Sequence, residues 1–236
     1  MKTIKLFLIG FVFSIFSITL SAQILDEIVT KHIEAIGGLE NWKKIKSMRT
    51  EFSMKMQGAE IKISTVQIDK KASRQDISVM GMTGYRVVKT TEGWNFMPWM
   101  GQTKPEALTT DDIKNAQEEL EIQDEFITYK ELGKTLEYYG TDDVDGTDCF
   151  KLKMTDKNGK ETTFYIDPSN YFIIKTTKKI KANGQETETS SFYGDYKKLD
   201  TGIYYPMSIS GDQGELEITK IDINPPVDEA IFNISK

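Results

Sequence analysis

The sequence predicts an α+β fold, a large antiparallel sheet of about ten or eleven strands with helices covering one face. Three observations predict it. From Met48 onward, apolar and polar residues alternate with a period of two through most of the chain. Glycines and Asn-Gly pairs punctuate that alternation at short intervals. Helical spacing is confined to the first part of the chain and to one insertion near the middle. A sheet of this size tends to curl, and its apolar face needs a cover that only the helices supply.

Ile24 to Ile36 places Leu25, Ile28, His32 and Ile36 at spacings of three and four, an amphipathic helix that Gly37-Gly38 ends. Leu39 to Ile45 reads as a short second helix with Leu39, Trp42 and Ile45 on one side. Phe52, Met54 and Met56 then alternate with Ser53, Lys55 and Gln57, and Ile61 and Ile63 with Lys62 and Ser64. Further strands are expected near Gln75 to Met80, Tyr85 to Thr90 and Trp94 to Met97, separated by Gly81, Gly84 and Gly93. After a loop from Pro105, Thr110 is placed to cap a helix over Asp111 to Glu121, whose first-turn aspartates suit the helix dipole. A second helical piece is expected near Phe126 to Leu132. Strands resume at Phe150 to Met154, Thr163 to Ile166, Tyr171 to Ile180, Glu188 to Tyr193, Tyr204 to Ile209 and Glu215 to Ile223. Asn158-Gly159, Asp167 to Asn170 and Asn183-Gly184 supply turns among them.

The chain opens with a basic stretch, Met1 to Lys5, then an uncharged apolar run from Leu6 to Leu20, then Ser21-Ala22-Gln23. Charge, apolar core and small-residue site in that order predict a secretory signal peptide over residues 1–22, cleaved after Ala22. The run is shorter than the roughly 20 residues that span a bilayer. Residues 23–236 are expected to form a single domain. The one cysteine, Cys149, is not at the cleavage point, so no lipid anchor is expected there. A lone cysteine also forms no internal disulfide, and its place beside Phe150 in a strand pattern predicts a buried, inert thiol. The formal charge of −6 falls to about −8 with loss of Lys2 and Lys5, which argues against nucleic-acid binding and a polybasic membrane patch.

No catalytic constellation emerges. His32, the single histidine, lies in the apolar stripe of the first helix, and one histidine excludes most histidine-based triads and most structural zinc sites. The acidic run Asp142 to Asp148 fails as a calcium loop, because the twelfth residue is Lys153 or Met154 rather than a glutamate. It reads as a solvated hairpin turn. No cofactor and no metal are expected. A carboxylate pair at glycosidase spacing is the one route left to an enzyme, and no spacing singles a pair out.

What stands out is soft apolar surface. Seven methionines, Met48, Met54, Met56, Met80, Met82, Met97 and Met100, fall in one segment with Trp94, Phe96 and Trp99. Flexible, polarisable side chains suit either an irregular core or a cavity for acyl chains. The segment Asp111 to Glu125 carries seven acids against Lys114 alone, the pattern of a solvated helix face or of a movable lid.

Several stretches taken in order resemble the periplasmic carriers that sort lipoproteins to the outer membrane (LolA-like) and their relatives. Asp69-Lys70-Lys71 with Arg74 is similar to a basic turn between early strands, and Glu92 to Pro98 to an aromatic segment that precedes a helical insertion. Phe164 to Asp167 and Tyr171 to Ile174 resemble a central hairpin, Val227 to Phe232 a C-terminal strand signature, and Ile33 to Leu39 the start of exported proteins of the Bacteroidota. The resemblance implies a strongly curved antiparallel sheet, an incomplete β-barrel, with helices on its concave face around a hydrophobic cavity. It implies binding of lipoprotein acyl chains or other lipids, an inner-membrane donor, an outer-membrane acceptor and a monomer released into the periplasm. The expected lipid-lining residues are Met54, Met56, Trp94, Phe96, Trp99, Ile166 and Ile174, with residues 105–132 as a lid over them. Where these carriers hold the lid through an arginine in the basic turn, this chain has Lys70 and Lys71, with Arg74 further along, and lysine lacks the planar two-pronged contact. The alternative reading of the same fold is a periplasmic interaction or sensor module that is not an enzyme.

Overall fold

The computed structural model describes residues 22–56, 59–182, 185–212 and 214–234. The expected signal segment, Gly58 and the Asn183-Gly184 turn fall outside the described residues, apart from Ala22 itself. Thirteen strands share one antiparallel sheet, in the order β6-β5-β4-β3-β2-β1-β15-β14-β11-β10-β9-β8-β7. In chain order they are β1 Ser47–Met56, β2 Ala59–Ile68, β3 Ala72–Val79, β4 Met82–Lys89, β5 Gly93–Phe96, β6 Glu106–Ala107, β7 Thr135–Val144, β8 Thr147–Thr155, β9 Glu161–Ile166, β10 Ile173–Ala182, β11 Gln185–Gly194, β14 Ser208–Gly211 and β15 Gly214–Ile223. Strands β12 Lys197–Lys198 and β13 Tyr204–Tyr205 pair separately. The end strands β6 and β7 do not pair with each other, so the sheet is open. Helices are few and short beside it, the α+β class that the alternation predicts.

The chain forms two compact units. The first takes residues up to Ile36 with Thr128–Ser190. Helix α1, described over 22–35, buries Ile28 and His32, and Ile36 follows at its end. His32 Nδ1 donates to the Tyr171 carbonyl at 2.7 Å. Lys31 reaches the Tyr171 hydroxyl at 3.1 Å, and the Tyr171 ring stacks on Phe150. Tyr171 holds this place with φ 60°, a left-handed conformation that a bulky residue adopts only under tertiary constraint. Leu152, Phe164, Ile166 and Met154 form buried rungs of β8 and β9.

The second unit takes Gly37–Ile127 with Ser191–Lys236. Helix α2, Leu39–Lys43, buries Trp42. Gly37 is required where it stands: its φ is 109°, and a Cβ there would strike the Gly202 carbonyl. The mid-chain insertion contains α3 Thr110–Asn115, a 3-10 turn Gln117–Leu120 and α4 Glu125–Thr128, which reaches the unit boundary.

Several expectations are corrected. The main sheet has thirteen strands rather than ten or eleven, and one of the additions is β7. The expected helix over Asp111 to Glu121 breaks at Ala116, and Thr109 rather than Thr110 is its cap, in a reciprocal pair with Asp112. Tyr204 to Ile209 is not continuous, because Pro206 separates β13 from β14. Val227 to Phe232 is not a strand. Pro225 and Pro226 supply no N–H to a ladder, Asp228 caps the backbone at Ala230, and Glu229–Phe232 turns as a 3-10 helix.

Asn224 clips the end of β15 to the loop that enters β1. Its Oδ1 accepts from the Lys46 and Ser47 amides at 2.7 and 3.3 Å, its Nδ2 donates to the Lys44 carbonyl at 3.0 Å, and its φ is 54°. Asn224→Ala is expected to lower unfolding free energy by about 2–4 kcal/mol through lost bonds and left-handed strain. Asn224→Gly loses the same side-chain bonds without the left-handed strain and is expected to fall between Ala and the native residue in urea denaturation.

Candidate functional site

Residues directly opposite in an antiparallel ladder project to the same side, so register assigns every side chain of the second unit to a face. One row of the ladder reads Tyr193, Ile209, Leu216, Met54, Ile61, Val79 and Met82, one residue from each of seven neighbouring strands. At strand spacings of about 4.8 Å that row runs roughly 29 Å across the sheet. The next row on the same side reads Ile218, Phe52, Ile63 and Ile77, then Gly84. Gly84 leaves no room for a side chain: a Cβ there would strike the Phe96 carbonyl and stand 2.7 and 2.8 Å from two carbons of the Trp99 ring. Two adjacent rows are thus apolar from end to end. Ile61 and Ile218 are buried, Met82 is 42% exposed, and the others are half-buried. Met80 and Met100 stand out beside Met82 and Trp99 in chain position, at 80% and 76% exposure.

The third row on this face turns polar, with Thr50, Thr65, Gln75, Arg86 and Asn95. The fourth includes Met48, Gln67, Ser73 and Val88. Here the insertion lies on the sheet, with Ala116, Leu120 and Leu108 packed on Val88. Polar contacts hold it: Gln67 Nε2 to the Glu119 carbonyl at 2.7 Å, the Ile122 amide to Asp69 at 3.2 Å, and Arg86 to both Glu119 carboxylate oxygens at 2.8 and 2.9 Å.

The opposite face is a closed core. Val66, Ala72 and Val87 pack with Phe232 of the C-terminal segment, and Trp94, Tyr85 and Ile231 join them. Farther along that face, Ser53, Lys55, Ser208, Glu215 and Glu217 line an open cleft of about 470 Å³ with Asp195 and Lys197, a polar surface unsuited to a hydrocarbon chain.

The expected lining set therefore divides. Met54 and Trp99 lie on the apolar face. Trp94 and Phe96 pair with Val87 and Tyr85, which places them on the other side against the C-terminal core. Ile166 and Ile174 belong to the first unit, where Ile166 has no exposed surface and Ile174 sits at the bulge of β10. The side chain of Met56 lies outside the described residues. The basic turn also divides. The Lys70 amide donates to the Leu120 carbonyl at 2.9 Å, with its ammonium 3.9 Å from Glu121. Lys71 instead grips Glu229, and Arg74 binds Asp76 and the Ile231 carbonyl while lying over the Tyr85 ring. The contacts to the insertion from Gln67, Asp69 and Arg86 were not among the expected ones. Arg86 stands in β4 directly before Val87 and Val88, a cation at the edge of an apolar pair.

Cys149 is fully buried, and burial first, then nearby Asp167, Asp143 and Asp148, push its thiol up to about 11. The run Asp142 to Asp148 is a hairpin turn, with Asp145 and Gly146 both at positive φ. Among the described residues, no three of His, Cys, Asp and Glu come together to hold a metal ion.

No protein-family model and no curated protein matches the sequence. Solved structures do match the fold. A LolA superfamily protein from Nitrosomonas europaea aligns with TM-score 0.54 at 14% identity, over 83% of this chain and 96% of the other. A putative outer membrane lipoprotein-sorting protein domain from Vibrio parahaemolyticus aligns with TM-score 0.52 at 14% identity, over 88% and 95%. A DUF1329 family protein from Desulfovibrio piger aligns with TM-score 0.55 at 12% identity, over 88% and 96%. At these identities the likeness is one of fold.

Gly84→Val is expected to strike both the Phe96 carbonyl and the Trp99 ring, displacing the ring from the apolar face and loosening the pairing of β4 with β5 at a cost of about 3 kcal/mol or more. The change is read as a red-shifted tryptophan emission, against which Trp42 and Trp94 are a constant background. The Cys149 thiol is expected to resist a disulfide reagent at pH 8 in the native protein and to react at once in 6 M guanidinium. Rapid native labelling would show that it is accessible.

Proposed function

We propose that this chain is a periplasmic carrier that holds acyl chains of lipoproteins or other lipids and performs no catalysis. The observation that carries the reading is the pair of adjacent apolar rows, with Phe52, Met54, Ile63, Ile77, Val79 and Met82 left half-buried or exposed. The shared fold with lipoprotein-sorting domains supports it. On this reading, residues 1–22 are removed on export and 23–236 act as one lipid-binding domain, a monomer moving between an inner-membrane donor and an outer-membrane acceptor. The insertion within 105–132 lies beside the apolar rows and acts as their lid, held by Lys70, Gln67, Asp69 and Arg86. Each buried methylene contributes about 0.8 kcal/mol, so ten supply roughly 8 kcal/mol before the cost of ordering the chain. No titrating group is needed for that affinity.

The test is native mass spectrometry of protein taken from the periplasm, with displacement of a fluorescent fatty acid in vitro. Ile63→Asp and Ile77→Asp, on the apolar face, are expected to weaken uptake more than tenfold, since a carboxylate there must be desolvated. Ser64→Lys, one residue away and on the opposite side between Glu51 and Asp76, is expected to leave uptake unchanged. Repeated absence of bound lipid together with a stable protein partner in pull-downs would turn the reading to an interaction module.

A further inference from the structure

Valine and isoleucine carry no atom that a mild oxidant attacks, whereas methionine carries a thioether sulfur. That sulfur is never protonated in water, so its reaction is set by access rather than by activation. Access differs sharply among the methionines of the described residues. Met48 and Met154 are 3% and 2% exposed, and Met54, Met97 and Met207 are half-buried. Met80, Met82 and Met100 are the open ones, at 80%, 42% and 76%. Met80 stands in the turn between β3 and β4, and Met100 in the 3-10 turn Pro98–Met100, so neither is a rung of the sheet. Met82 is a rung. It pairs with Val79, which puts it at the end of the row that holds Ile61 and Met54. An oxidisable side chain thus occupies the most open position of that row.

We propose that Met82 is an oxidative modification site, and that its conversion to the sulfoxide by a peroxide makes the apolar face release what it holds. The inference rests on the carrier reading above and adds the regulation of that face. The chemistry is complete with hydrogen peroxide alone. The sulfur lone pair attacks one peroxide oxygen, an S–O bond forms as the O–O bond breaks, and the departing oxygen takes up the proton and leaves as water. The sulfur loses two electrons and the peroxide gains them. The product is a strongly polar acceptor in place of an apolar tip. Its neighbours in the row, Val79 and Ile61, have no hydrogen-bond donor in their side chains. On the empty face water solvates the sulfoxide, because position 82 is open. Under a hydrocarbon the sulfoxide loses that water and gains nothing, so oxidation penalises the loaded state and leaves the empty one unaffected. Leucine at this position would extend the row without that response.

The experiment treats the exported chain with hydrogen peroxide, maps the methionines by peptide mass spectrometry and measures uptake of a fluorescent fatty acid. Met80, Met82 and Met100 are expected to gain oxygen well before Met48 and Met154. Saturating fatty acid is expected to slow the reaction at Met82 and to leave Met80 and Met100 unaffected. Affinity is expected to fall about tenfold as the Met82 sulfoxide accumulates. It is expected to return on treatment with sulfoxide reductases for both epimers, which irreversible unfolding would not allow. In Met80→Leu/Met100→Leu, peroxide is expected to cut uptake as it does in the native chain. In Met82→Leu, uptake is expected to be the same before and after peroxide. Three results each overturn the modification site and leave the carrier reading standing: uptake that survives full oxidation of Met82, an equal loss in Met82→Leu, or oxidation of Met82 at the same rate with and without the fatty acid. A native chain that takes up no fatty acid before any oxidant is added overturns both.

Discussion

The apolar face depends on register. Side chains alternate along a strand, so a slip of one residue anywhere between β11 and β4 would move half of an apolar row to the other side of the sheet. The most exposed test of that constraint is β15. Its apolar residues run Leu216, Ile218, Ile221, Ile223, so the period of two fails once, between Ile218 and Ile221. The ladder with β1 breaks at the matching point, between Glu51 and Phe52, where one extra residue of β15 is accommodated. The Thr219 hydroxyl binds the Glu51 carbonyl at 3.2 Å and fastens the irregularity. The bulge restores parity, so Leu216 and Ile218 share a side with Ile221 and Ile223. Without it, β15 would present isoleucines to both faces, and the row from Tyr193 to Met82 would be interrupted in its middle.

This also explains which parts of the molecule were legible in sequence. Alternation located ten of the strands, because Phe52-Ser53-Met54 or Leu152-Lys153-Met154 states its period plainly. It passed over β7, where Glu137, Thr141, Asp142 and Asp143 outnumber Leu136 and Val144. That strand is the last of the sheet, with a bulge between Tyr138 and Thr141, and charges with a bulge are how a free edge avoids pairing with other chains. The apolar residues were legible in sequence, and the side of the sheet each one takes was not. Met54 and Trp99 fall on the apolar face, whereas Trp94 and Phe96 look equivalent in sequence and are not. Their side is fixed by pairing with Val87 and Tyr85 across a turn, information that no single strand holds. The helical insertion was found by its acids, but Ala116 ends α3 early, and the following residues tighten into a 3-10 turn that delivers the Leu120 carbonyl to the Lys70 amide.

The two segments laid on the second unit's sheet are held by different physics. The C-terminal segment inserts Phe232 among Val66, Ala72 and Val87, and Arg74 fixes the Ile231 carbonyl from a half-buried position. Burying a phenylalanine there contributes about 2–3 kcal/mol. The insertion packs Ala116, Leu120 and Leu108 on Val88, buries Ile122 and Phe126, and adds polar ties to the sheet. The Arg86–Glu119 pair is solvent-facing, and pairs of that kind are worth about 1 kcal/mol or less. Seven acids on the insertion repel one another and find few cations there.

Composition within the apolar rows follows the same logic. The centre is built of β-branched residues, Ile61, Ile63, Ile77 and Val79, whose side chains have one strongly preferred rotamer and present a fixed relief. Met54 and Met82 flank them in the row, and Met82 at 42% exposure is the most open residue in it. Methionine adapts its three torsions to whatever lies against it. The middle of the face is therefore rigid, and its ends adapt to whatever packs on them. The apolar character ends at the next row, where the register puts Thr50, Thr65 and Gln75.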